Sequence, residues 1–162
     1  MKNFAYAILL VIFLSIVIEP LVEIMEVGRE KILLNSALYN SYRVAVLTLD
    51  SEMIRDLDAR TKENDLIEKF SDAFEEAMEV TQINRSGNTL EFRSDAGKYE
   101  NIIVTVTLNE YNDSLTERGV SKVSITAKTK YKFKTKYLKE VAARVPDYFL
   151  ISDKSYTFSV KN

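Results

Sequence analysis

The sequence predicts an α+β chain: a long N-terminal apolar helix, a second amphipathic helix and an antiparallel sheet of about four strands. Three observations predict it. Phe4 to Ile18 is an apolar run interrupted only by Ser15. A helical spacing of apolar residues continues to about Leu49 and returns between Asn64 and Val80. Beyond Asn88 the apolar residues alternate with polar ones, at the period of a strand. Residues 1–27 accordingly read as a transmembrane anchor, 28–60 as continuation of the helix and a joint, and 61–162 as an extracytoplasmic α+β domain.

The anchor carries an unusual seam. Glu19, Glu23, Glu26 and Glu30 fall within roughly 60° of one another at about 100° per residue, so they form one acidic stripe. Phe4 to Ile18 rises about 22 Å against a hydrocarbon layer of about 30 Å, and counting on to Val27 gives about 36 Å but takes in three carboxylates. Carboxylates at that depth are costly and usually face protein or a wet cavity. Along the stripe only Arg29 stands at a useful spacing from Glu26. The stripe therefore reads as an assembly interface, Glu19, Glu23, Glu26, Glu30 and Arg29, whose missing cations come from another protein. A cleaved secretory signal is the competing reading, but no Ala-x-Ala-like site follows the apolar run. Lys2 and the amine on one side favour a cytoplasmic N-terminus and an external C-terminal domain.

After Gly28 the helical period persists through Val27, Lys31, Leu34, Leu38, Tyr42, Ala45 and Leu49, broadened by Ile32, Leu33, Ala37 and Val46. A single helix to Leu49 is about 70 Å long, so its inner half needs lipid or like helices and its outer half the rest of this chain. Pro20 removes one backbone bond and predicts a kink beside Glu19. Asp50 to Lys62 reads as a charged, partly helical joint. Leu66, Ile67, Phe70, Ala73, Phe74, Ala77 and Met78 then place a second helix over Asn64 to Val80.

Asn84-Arg85-Ser86-Gly87-Asn88 is a turn cluster that opens a hairpin. Strands follow at Thr89 to Arg93 and at Ile102 to Asn109. The longest alternation runs from Val123 to Tyr137, with Val123, Ile125, Ala127, Thr129, Tyr131, Phe133, Thr135 and Tyr137 on one face. Lys128, Lys130, Lys132, Lys134 and Lys136 lie on the other, a possible basic surface. Leu138 to Arg144 reads as a short helix before Pro146, and Tyr156, Phe158 and Val160 mark a last strand.

Composition removes whole classes of function. The chain has no cysteine, histidine or tryptophan, so thiolate and imidazole catalysis, disulfides and nearly every structural zinc site are excluded. The acidic cluster Asp50, Glu52, Asp56 and Asp58 lacks the glycine and spacing of a calcium loop, and the glycines are too sparse to cradle a phosphate. No metal, cofactor or catalytic residue is expected, and the chain does not read as an enzyme. The lysine face reads first as the solvated side of a strand, where lysines also block unwanted edge pairing; without stacking aromatics nucleic acid is disfavoured, and lipid headgroups or cell-wall polymer are the other candidates. Charge is divided: 11 acidic and 4 basic residues between Asp50 and Val80 oppose 10 basic and 3 acidic from Val120 to Asn162. Two solvated faces explain this as well as attraction between subunits does.

Ile24-Met25-Glu26-Val27-Gly28-Arg29, then Ala37-Leu38 and Arg43-Val44-Ala45, resembles the N-terminal region of the TadE-like minor pseudopilins of tight-adherence, type IV pilus-like systems. The C-terminal half is similar too, with the alternating strand Val123 to Phe133, the connection Leu138 to Leu150 and the last strand Tyr156 to Val160. The chain departs from prepilins in having no glycine ahead of a cleavage point before Phe4. The resemblance implies a pilin-like membrane helix and a structural subunit of a pilus or secretion-type envelope apparatus. Its partners would be other pilin-like subunits or apparatus components, in a homo- or hetero-oligomer, and membrane lipid. The alternative from a different class is a secreted soluble α+β adhesin or ligand-binding domain released by signal cleavage.

Overall fold

The computed structural model describes residues 2–56, 63–113, 118–145 and 150–159. Its first element, α1 (Lys2–Asp56), is one helix that runs through Pro20 without a break. At 1.5 Å per residue it extends about 80 Å. Part of the expected joint, 57–62, lies outside the described residues. α2 (Glu63–Met78) follows, and its apolar stripe buries Leu66, Ile67, Phe70, Phe74 and Met78. The helix stops two residues before the expected Val80 because Glu79 takes a left-handed φ of 52°, which turns the chain into a strand.

Five strands, not about four, then form an antiparallel sheet in sequence order: β1 (Val80–Ser86), β2 (Thr89–Ser94), β3 (Ile102–Asp113), β4 (Arg118–Thr129) and β5 (Leu150–Ser159). The unforeseen strand is β1. Its register against β2 slips between Gln82 and Asn84, and only Val80 is buried, so it never shows the period-two pattern of a strand. A helix α3 (Lys136–Arg144) separates β4 from β5.

Both long helices lie on one face of the sheet, α2 against β1 and β2 and α1 against β5. Leu34 and Leu38 of α1, Phe70 and Phe74 of α2, Phe92 of β2, Val104 of β3 and Ile125 of β4 are all buried in one core. The Phe74 and Phe92 rings meet at 4.9 Å between centroids, and Tyr42 of α1 stacks on Tyr156 of β5 at 3.9 Å. Full burial of each such side chain contributes about 1.5–3 kcal/mol, which is how a chain without disulfides holds its sheet to α1.

The stripe on α1 that meets the sheet is narrower than its sequence suggests. Leu34, Ala37, Leu38, Ala45 and Leu49 are buried, whereas Lys31, Ile32 and Leu33 face outward. The predicted strand Val123 to Tyr137 also ends earlier, at Thr129. Inward alternation nevertheless continues through Tyr131 and Thr135, because residues 130–135 stay extended and leave the sheet toward α1.

Candidate functional site

From Asn3 to Val22 every α1 residue except Pro20 is exposed, and apolar side chains dominate. Coverage begins at Glu23. By length and composition α1 is apolar enough to cross a membrane.

Where coverage begins, the domain closes a collar around the acidic seam. Tyr99 and Tyr131 form an isolated antiparallel bridge, flanked by Glu100 N–H donating to the Lys130 carbonyl and Lys132 N–H to that of Lys98, each at 2.9 Å. The paired segments present their side chains to α1. Glu23, 5% exposed, accepts the backbone N–H groups of Lys134 and Thr135, the latter at 3.0 Å, and the Thr135 hydroxyl. Thr135 is the N-cap of α3 yet makes no side-chain cap bond, because its hydroxyl is given to Glu23. Glu26 accepts the Tyr131 hydroxyl at 3.3 Å. Glu30 accepts the Tyr99 hydroxyl and pairs with Lys98 Nζ at 3.1 Å.

These contacts hold the proton on the two phenols to higher pH and fix their position. Burial first, and then the carboxylates of Glu26, Glu23 and Glu30, push the Tyr131 phenol up to about 12. Burial and its bond to Glu30 likewise raise Tyr99 far above the ordinary tyrosine range. Both phenols are therefore donors at any physiological pH.

Three of the four seam glutamates thus find their partners within this chain. The chain's own domain covers the seam for a geometric reason: Glu23, Glu26 and Glu30 occupy the helical face that continues into Leu34, Ser41 and Ala45, which is the domain's own face. That continuity was the signal in the sequence. The partners it missed are Lys98, Tyr99, Tyr131 and Thr135, which lie far away along the chain. Glu19 is exposed and bonds to no described residue. Arg29 points outward and forms no ion pair with Glu26.

The lysine face is likewise divided. Lys128 stands on the open face of β4, Lys130, Lys132 and Lys134 on the extended collar segment, and Lys136 opens α3. Opposite the seam, α1 presents a second feature: Ile18, Met25 and Ile32, seven residues apart, form an apolar ridge, with Met25 and Ile32 69% and 68% exposed. Among the described residues no cluster of acidic side chains is arranged to hold a metal ion.

No protein-family model, curated protein or solved structure matches the chain. The architecture is α+β and agrees with a pilin-like description: a long apolar N-terminal helix whose second half is the spine of a domain with a second helix and an antiparallel sheet.

Proposed function

We propose that this protein is a membrane-anchored, pilin-like structural subunit of an envelope apparatus, with a cytoplasmic N-terminus and an external domain, and that it acts by assembly through α1. One observation carries the proposal: the same helix is bare and apolar up to Val22 and is the spine of a packed domain from Glu23 onward. So large an exposed apolar surface, interrupted only by Ser15 and Glu19, marks contact with lipid or protein. Phe4 to Val22 rises about 28 Å, close to the hydrocarbon thickness.

The ridge of Ile18, Met25 and Ile32 supports the assembly half of the reading. It faces away from the domain and repeats every seven residues, the period at which helices pack side by side. The seam, by contrast, has its work inside the subunit, where it fixes the angle at which the domain sits on the helix. Photo-crosslinking from Met25 and from Ile16 in intact cells tests this. Adducts with a second copy or with another apolar-helix subunit support it, and strictly monomeric protein at both positions contradicts it.

A further inference from the structure

α3 buries only Leu138. On a helical wheel Tyr137, Val141 and the C-cap Val145 follow one another at four-residue spacing within about 80°. They are 67%, 41% and 49% exposed. The polar side of the helix carries Lys136, Lys139 and Arg144 against the single acid Glu140, and the segment leading into it adds the exposed Lys132 and Lys134. A short helix with a bare apolar arc bordered by cations is the pattern of an element that lies in a lipid interface.

Its place in the fold agrees. The N-cap of α3, Thr135, is hydrogen-bonded to Glu23, the residue at which α1 passes from bare to covered. With Phe4 to Val22, about 28 Å, in the hydrocarbon layer, Glu23 stands at the boundary between acyl chains and headgroups. The bond from Thr135 to Glu23 sets the start of α3 at that same level.

We propose that α3 is an interfacial helix that seats the domain on an anionic phospholipid surface, with Tyr137, Val141 and Val145 against the upper acyl region and Lys132, Lys134 and Lys136 among the phosphates. The proposal rests on the membrane-anchor reading and goes beyond it, because an anchored domain can equally stand clear of the bilayer. With the collar fixing one end of α3, contact of this kind sets the tilt of the domain on the membrane.

The chain has no cysteine, so single labels are unique. Full-length Val141→Cys, Ala143→Cys and Ile12→Cys are each labelled with a fluorophore and reconstituted into vesicles carrying acyl-chain quenchers, made with phosphatidylglycerol or with phosphatidylcholine alone. Ala143 is exposed on the polar side of α3 and serves as the control. Quenching at 141 is expected to exceed that at 143 by about twofold or more in the anionic vesicles. Joint replacement of Lys132, Lys134 and Lys136 by Gln is expected to reduce it to the phosphatidylcholine level. Equal quenching at 141 and 143 while position 12 is strongly quenched overturns the interfacial helix and leaves anchoring intact. Quenching at 141 with none at 12 supports the helix and contradicts the anchor. A signal at 141 that ignores both lipid charge and the lysines overturns the anionic specificity.

Discussion

Replacing Glu23 by Ala should open the collar without unfolding the core. The substitution removes the acceptor of two backbone N–H groups and one hydroxyl, all at a carboxylate that is 5% exposed. Hydrogen bonds to a charged group contribute about 1.5–3 kcal/mol each, and an abandoned buried donor costs about 1–3 kcal/mol. The sum is not additive. The variant is also relieved of a buried charge, and water reaches the freed donors once the segment lifts. About 3 kcal/mol is the expected net loss, a rise of roughly 150-fold in the opening constant at 1.36 kcal/mol per decade. Hydrogen exchange of full-length protein in nanodiscs reads this directly at the amides of Lys134 and Thr135. Glu26→Ala is the control, because an exposed carboxylate taking one bond at 3.3 Å contributes about 0.5 kcal/mol. Amides of β3 and β4 should keep their protection in both variants. Unchanged exchange at Lys134 and Thr135 in Glu23→Ala would refute the collar.

Other outcomes follow from the same geometry. Because the folded Tyr131 phenol is held up to about 12 against an ordinary 10, the folded state keeps its proton where the unfolded chain has lost it. Its contribution is full below pH 10 and fades as pH rises toward 12, so Tyr131→Phe should flatten alkaline unfolding in that window when followed by circular dichroism. Phe92→Ala removes a fully buried ring that meets Phe74 and should cost about 3–5 kcal/mol in denaturant unfolding of the domain. Glu79→Gly should raise stability by about 0.5–1 kcal/mol, since a glycine takes the left-handed turn after α2 without a Cβ penalty, and the shift in midpoint measures it.

Much of this architecture is legible in the sequence because it rests on periodicity. The stripe Leu66, Phe70, Phe74 of α2 and the alternation Val123, Ile125, Ala127 of β4 each face the core as their spacing requires. β1 escaped because its bulge breaks the alternation that identifies a strand. The end of β4 escaped for the opposite reason. Alternation carries on through Tyr131 to Thr135, but those residues turn toward α1 instead of a neighbouring strand, and no local pattern distinguishes the two. At the seam, spacing placed the four glutamates on one face yet not what covers it. That depends on contacts between residues 68 to 112 positions apart.

The anchor itself is tested most directly by washing membranes from expressing cells with alkaline carbonate and taking the intact mass of what remains and what is released. The account predicts full-length chain in the membrane pellet, with the domain digestible by external protease and the bare part of α1 protected. A soluble product beginning between Glu19 and Glu23, folded and free in the wash or the medium, would contradict it and identify a released domain.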